Sequence, residues 1–315
     1  MNVLVTGSTG FLGKPLLNEL SSAKFKVFPV VRGASKSGLN YNTVFVSGID
    51  SKTNWQNYLV NKDVVIHCAA RVHVMNDNVS DPLDAFRDVN VLGTMNLAHT
   101  AAQAGVKRFI FISSIKVNGE STTGLPTYLS SNKPSPKDPY GISKAEAEEQ
   151  LLALGNKTGM EIVIIRPPLV YGPGVKANFA AICKLTAKGL PLPFASLVTN
   201  KRSMVYVENL ISLIVECVTN KSAANNVFLV SDNDDLSLAD FIKRLSLAMG
   251  KKALLLPCPK FLFELVGRLT GKTAVVDRLV GSLQVDTTDT CKTLNWTPPY
   301  TVEDGFKETV KDFKK

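Results

Sequence analysis

The sequence predicts a doubly wound α/β fold: a parallel sheet with helices on both faces, followed by a smaller, mostly helical lobe. Three observations carry that expectation. Short β-branched runs alternate with helix-patterned segments through the first half of the chain. Those runs are apolar nearly end to end, as strands buried on both faces must be. After Pro167-Pro168 the texture changes, with Pro and Gly at Gly172, Pro173, Gly174, Pro191 and Pro193 and helical periodicity between them.

Taken in order, Asn2 to Thr6 reads as a strand and Phe11 to Leu20 as a helix. Further strands are expected at Lys26 to Val31, Asn42 to Val46 and Asp63 to His67. Pro82 to Ala104 reads as one long helix, with apolar positions at Phe86, Val89, Leu92, Leu97 and Ala101. A fifth strand spans Arg108 to Ser113, a helix Tyr140 to Leu154, and a sixth strand Glu161 to Ile165. Between them, residues 118 to 139 form a long loop carrying four prolines, and long loops in compact domains are often functional. Helices are expected at Asn178 to Lys188, Val207 to Thr219, Leu238 to Met249 and Val302 to Phe313. The expected division is a nucleotide-binding domain over 1–170 and a substrate-binding lobe over 171–315, with some chain returning to the first domain.

At 315 residues the chain exceeds the ~250 at which single cores tend to divide. Its 45% hydrophobic content is ordinary for a globular protein. The opening apolar run ends at Gly7, too short for a secretory h-region, and no run of ~18 apolar residues suggests a membrane span. Five well-separated cysteines without a CxxC pair indicate free thiols in a reducing compartment, and a cytoplasmic location is expected. A net charge of +9 admits nucleic acid, an acidic membrane surface or an anionic small molecule as partner. The cations are scattered with no run of five, which favours a nucleotide carrying a diphosphate over nucleic acid. His67, which ends a strand, reads as a packed residue, and His73 and His99 lack metal-like spacing, so no metal is expected. A homodimer is compatible with the sequence.

Gly7, Gly10 and Gly13 form G-x-x-G-x-x-G between a predicted strand and a predicted helix. Glycines there allow a tight turn and let backbone N–H groups and the helix N-terminus approach a pyrophosphate, the Rossmann arrangement for a dinucleotide. NAD enzymes place an acid ~20 residues beyond the glycines. Here the end of the second strand carries Arg32, with Lys36 nearby. Cations suit a 2′-phosphate, so NADP(H) is expected over the alternative, NAD(H).

Tyr140 and Lys144 lie at i and i+4 and share one helix face. A phenol with a pKa near ~10 is a poor base, but a neighbouring ammonium favours the phenolate. Ser114 follows the fifth strand, at the carboxyl edge of the sheet where such folds bind ligands. The trio suits proton transfer at an alcohol or ketone coupled to hydride transfer at the same carbon. Ser114, Tyr140 and Lys144 are therefore the expected catalytic residues.

Several segments together resemble the extended short-chain dehydrogenase/reductases: Thr6-Gly7-Ser8-Thr9-Gly10-Phe11-Leu12-Gly13, His67-Cys68-Ala69-Ala70, Ser113-Ser114, Tyr140-Gly141-Ile142-Ser143-Lys144 and Arg166-Pro167 to Gly172-Pro173-Gly174. Within that group the chain is similar to the epimerase/dehydratase family of bacterial sugar-nucleotide enzymes, over essentially its whole length. The resemblance implies cofactor contacts from Gly7, Thr9, Gly10, Phe11, Leu12, Arg32, Ala69, Ala70, Tyr140, Lys144 and Pro167. It implies substrate contacts from Ser114, Lys116, Asn178, Arg202 and Arg278. Three positions depart from the pattern. The Gly-Asp-x segment expected near the adenine reads Gly48-Ile49-Asp50, which displaces the acid to Asp50. Leu169 stands where a polar Asn is frequent, and Ile115-Lys116 follow Ser114 where dehydratases carry Asp-Glu, which argues against a dehydratase. The expected activity is at C4 of a UDP-sugar of the UDP-N-acetylhexosamine type. Arg32 places a 4-keto-6-deoxy-sugar reductase of surface-polysaccharide synthesis first, with a UDP-glucose or UDP-N-acetylglucosamine 4-epimerase as the alternative.

Overall fold

A computed structural model of the chain describes residues 1–33, 42–72, 81–271 and 273–313. Lys36, His73, Lys314 and Lys315 lie outside the described residues. The first unit runs β1 (Asn2–Thr6), α1 (Gly13–Ser22), β2 (Lys26–Arg32), β3 (Val44–Val46), α2 (Gln56–Leu59) and β4 (Val64–His67). It continues through α3 (Pro82–Arg87), α4 (Thr94–Gln103), β5 (Arg108–Ile112), α5 (Pro139–Thr158) and β6 (Glu161–Arg166). Next come β7 (Leu169–Tyr171), α6 (Ala177–Ala187), β8 (Met204–Tyr206), α7 (Val207–Thr219) and β9 (Asn226–Leu229). The last elements are α8 (Leu238–Ala248), α9 (Lys260–Leu269), α10 (Thr273–Val280), α11 (Thr288–Leu294) and α12 (Val302–Thr309).

Seven strands form a parallel sheet in the order β3-β2-β1-β4-β5-β6-β9. The order reverses between β1 and β4, where Thr6 pairs with His67. Ligands in open α/β sheets bind at the carboxyl ends of strands at such a switch point. Strand interiors are fully buried, including Leu4, Val5, Val65, Ile66, Phe109, Ile110, Val163 and Ile164. Burying each such side chain stabilises the fold by about 1.5–3 kcal/mol before chain entropy is counted. This is why the near-continuous apolar runs were a sound guide to the parallel sheet.

Three features add detail that the sequence alone does not give. The long helix expected over Pro82 to Ala104 is interrupted by a π-helical stretch, Asp88–Gly93, between α3 and α4. Gly93, which closes it, lies so close to the chain at Ile49 that an added Cβ would sit 2.7 Å from the Ile49 carbonyl oxygen. β9 joins the main sheet beside β6, so chain beyond residue 170 completes the first unit. β7 and β8 form a separate parallel pair. They are tied to the loop after β9 by Asp232, which accepts hydrogen bonds from Tyr171 Oη (2.8 Å), the Tyr206 amide (2.8 Å) and Asn209 Nδ2 (2.7 Å).

The five cysteines are unpaired, with Cys183 and Cys217 buried and the others partly exposed. No described helix is long and apolar enough to cross a membrane.

Candidate active site

The glycine loop is built against its own backbone. Gly7 has φ 69° and approaches the chain after β4 so closely that a Cβ would meet the Ala69 nitrogen at 2.8 Å. At Gly13, the first residue of α1, a Cβ would lie 2.1 Å from the Gly7 carbonyl oxygen. Neither position admits a side chain without moving backbone. The Ser8 hydroxyl, buried, donates to the Val30 carbonyl at 2.6 Å and pins the loop to β2. No side chain caps the N-terminus of α1. Thr9, Gly10 and Phe11 are exposed around it, and Ala69 and Ala70 are half-buried alongside. An uncapped helix start behind a cradle that only glycine fits is what a pyrophosphate requires. These residues therefore fit a dinucleotide.

Arg32 ends β2 and is exposed. Asp50 is engaged locally, accepting from the Lys52 amide (2.9 Å) and the Thr53 hydroxyl (3.1 Å). The carboxylate that NAD enzymes often present from the end of the second strand has no counterpart at Arg32.

His67 ends β4 and is fully buried. Its Nδ1 lies 2.7 Å from the Thr6 hydroxyl and its Nε2 3.0 Å from the Thr94 hydroxyl. Burial first, and the Lys144 ammonium second, push its pKa down to about 3. The ring is thus a neutral packed strut, as its strand position suggested. Among the described residues no group of three His, Cys, Asp or Glu side chains could hold a metal ion.

The Tyr-Lys helix begins at Asp138, whose Oδ1 accepts from the Gly141 amide at 2.7 Å, with Pro139 preset in the first turn. It ends at Gly159 in the left-handed region, φ 78°. Lys144 is buried, donates from Nζ to the Ile112 carbonyl at 2.7 Å, and lies 3.8 Å from the Phe111 ring centroid. Burial lowers its pKa to about 7, against raising contributions from Glu148 and Cys68. Tyr140 packs edge-on against Phe86 with ring centroids 5.9 Å apart. Burial, aided by Asp138, pushes its phenol up to about 12. This differs from the sequence expectation of a lowered phenol. In the protein alone burial is the larger cause of that rise, with the Asp138 carboxylate adding to it.

Ser114 follows β5 and opens a short turn, its Oγ accepting from the Lys116 amide at 3.3 Å. Pro167, buried after β6, accepts from the Ile115 amide at 3.0 Å and fixes this turn to the sheet edge. A Cβ on Gly141 would sit 2.9 Å from the Lys116 carbonyl oxygen, so the start of α5 lies directly on the turn. Ser114, Tyr140 and Lys144 are thereby brought to one edge of the sheet. Ile115, which replaces the acid of dehydratases, is buried against Leu229, Leu283 and Val285.

The proposed substrate residues divide. Arg202 and Arg278 both line a cavity of 380 Å³, and Arg202 Nη1 donates to the Arg278 carbonyl at 2.8 Å. Leu169, Phe179, Met204 and Phe241 line its apolar wall. The ammonium of Lys116 is engaged with Asp138 and with Glu120 at 3.2 Å, and Glu120 lies 3.9 Å from Arg278. Asn178 is the second residue of α6, and its side chain lies outside the described residues.

Sequence reasoning missed three supports. Asn90, on the π-helical stretch, is buried and bonds the Arg71 amide (2.8 Å), the Arg71 carbonyl (3.1 Å) and the Ser143 hydroxyl (3.0 Å). It joins the loop after β4 to α5. Glu148 and Arg166 form a buried pair at 2.6 Å, and Arg166 also donates to Asn118 at 2.9 Å. Asp138 could have been found, since Asp-Pro before a helical run is a start signal.

Fold and site together define an extended short-chain dehydrogenase/reductase. Residues 3–231 match the NAD dependent epimerase/dehydratase family, and the chain belongs to it. It is 49% identical over 316 residues to a UDP-glucose 4-epimerase of Vibrio cholerae, covering 99% of this chain and 95% of the relative. It is 29% identical over 330 residues to an N-acetyl-alpha-D-glucosaminyl-diphospho-ditrans,octacis-undecaprenol 4-epimerase of Escherichia coli O157:H7, covering 98% and 94%. A UDP-glucuronic acid 4-epimerase from Bacillus cereus, solved with NAD, superposes with TM-score 0.78 at 22% identity over 100% of this chain and 96% of that one. At that identity the likeness speaks for the fold.

Proposed function

We propose that the chain is a UDP-sugar 4-epimerase. The observation that carries this reading is the Tyr140–Lys144 face of α5, held by the Lys144 bond to Ile112 beside Ser114 at the sheet edge. The extent of likeness to the Vibrio cholerae 4-epimerase supports inversion at C4 over the reduction that Arg32 alone had placed first. A dinucleotide bound along the glycine loop would supply a hydride acceptor and donor at the sugar C4.

The residues of this chain divide the remaining work. Tyr140 is protonated at neutral pH in the protein alone, so its hydroxyl is a proton donor to a C4 carbonyl and, once deprotonated, an acceptor from a C4 hydroxyl. Lys144, with its pKa brought to about 7, holds or releases a proton at working pH. Ser114 positions the C4 oxygen beside Tyr140. Arg202 and Arg278 hold the diphosphate, and the apolar wall that includes Leu169 receives uncharged parts of the nucleotide or sugar. Epimerisation returns the hydride to the same substrate, which suits a retained NAD(H).

The second reading, a 4-ketoreductase using NADP(H), is favoured by Arg32 at the end of β2. One experiment separates the two. Purified protein is denatured, its released cofactor identified, and fresh protein given UDP-galactose or UDP-N-acetylgalactosamine without added cofactor. Stoichiometric NAD(H) and conversion to the gluco epimer are expected. Cofactor-free protein that consumes NADPH with a 4-keto-6-deoxy UDP-sugar overturns the epimerase reading.

A further inference from the structure

Helix α9 has two apolar faces, and among the described residues only one of them is covered. Phe263 and Gly267, at i and i+4, face the protein: Phe263 stacks on Phe194 with centroids 5.7 Å apart, and a Cβ on Gly267 would lie 2.8 Å from Val276 Cγ2. On the opposite side Phe261, Leu265 and Leu269 form one line with Leu262 and Val266 beside it. Their exposures run from 39% at Leu262 to 78% at Leu269. The segment leading into α9 repeats the pattern with the period of a strand. Leu255 faces inward toward Leu192, while Leu254 and Leu256 are 50% and 54% exposed. Isolated exposed leucines are ordinary, but a continuous stripe of this kind marks a surface that binds something.

Charge says what it binds. Between Gly250 and Gly271 the chain carries Lys251, Lys252, Lys260 and Arg268 against the single carboxylate Glu264. All four cations are exposed, and Glu264 is partly neutralised by Lys260 at 3.6 Å. An apolar helical stripe beside exposed cations is the pattern of a helix that lies in a membrane interface, with apolar groups among acyl chains and cations among anionic headgroups. A second copy of the chain would bring the same four cations together, which like-charge repulsion opposes. The overall charge of +9 adds attraction in the same direction.

We propose that α9 and the segment before it dock this protein peripherally on an anionic lipid bilayer. The surface is distinct from the site at the sheet edge and independent of the reaction performed there. It adjoins the arginine-lined cavity, because Phe194 both stacks on α9 and lines that cavity. Docking therefore places the cavity close to the lipid surface.

The test is co-sedimentation of the full chain with vesicles of 30% phosphatidylglycerol in phosphatidylcholine and with pure phosphatidylcholine vesicles. Binding to the anionic vesicles is expected, falling about tenfold or more as salt rises from low to high ionic strength. Leu269→Glu and, separately, Leu265→Glu should each abolish that binding while leaving turnover in solution and circular dichroism unchanged, since both positions are exposed and outside the cavity. Equal binding to neutral vesicles, or full binding by both variants, overturns the proposal. So does a wild-type dimer, seen by light scattering, that either variant converts to monomer, because a second copy would then own the face.

Discussion

Tyr140 and His67 show how burial sets proton chemistry one residue at a time. Tyr140 sits where its hydroxyl is held protonated, pushed up to about 12. Tyr140→Phe removes that hydroxyl and little volume. Turnover should fall by about 10²- to 10⁴-fold, the range for a positioned acid/base, while UDP affinity by calorimetry stays unchanged. Full activity in this variant would remove Tyr140 from the mechanism. His67 has its pKa lowered from 6.5 to about 3 in the folded protein. The native state therefore binds fewer protons than the unfolded chain across that window. Stability should fall as pH drops from 6.5 toward 3, by up to about 1.4 kcal/mol per pH unit. His67→Asn keeps polar atoms near Thr6 and Thr94 but cannot titrate, so its urea midpoints at pH 4 and pH 6.5 should lie closer together than the wild type's.

At the scale of elements, two helix N-termini carry the candidate site. The start of α1 depends on Gly13, where a Cβ would meet backbone at 2.1 Å. Gly13→Ala should yield protein with tightly bound dinucleotide reduced about tenfold or more, read from absorbance of the denatured supernatant, because the loop must open to admit a methyl. Retention of full cofactor would mean the loop is not the phosphate cradle. The start of α5 depends on Asp138, which both caps the helix and pairs with Lys116. Asp138 raises the Tyr140 phenol, and Lys116 forms an ion pair with that carboxylate. Lys116→Met should accordingly move the basic limb of the pH–kcat profile to higher pH with KM unchanged. A raised KM with an unshifted limb would instead make Lys116 a substrate contact, the role its sequence position first suggested.

At the scale of the whole molecule, the chain past residue 170 is interleaved with the chain before it. β9 pairs with β6, and one apolar cluster runs from Val3 and Leu16 through Leu210 and Ile214 to Phe241, Phe306 and Val310. Two lobes sharing a core in this way should unfold together. Calorimetry is expected to show a single transition whose van't Hoff and calorimetric enthalpies agree. Two resolved transitions would mean that the lobes are independently stable.

Much of this was legible from residues alone. The apolar runs located β1, β2, β4, β5 and β6, because a buried parallel strand must be apolar on both faces. The glycine loop and the Ser114, Tyr140 and Lys144 constellation were legible too, since each is a local pattern whose chemistry dictates residue type and spacing. The short strands β7, β8 and β9 were not seen. Three or four residues carry too little periodicity, and their pairing is settled by distant partners. The π-helical stretch at Asp88–Gly93 was likewise hidden, and Gly93 in it abuts Ile49, a neighbour far away in sequence.

By itself, then, the sequence determined most of the sheet, the glycine loop and the placing of Ser114, Tyr140 and Lys144 as candidates for one site, all of which follow from short-range periodicity and side-chain chemistry. Tertiary structure decided the rest. It joined Arg202 to Arg278 across one cavity, engaged Lys116 with Asp138 and Glu120, and buried Lys144 until its pKa fell to about 7. Those outcomes depend on which groups lose water and which charges end up adjacent, and only the packed chain sets either.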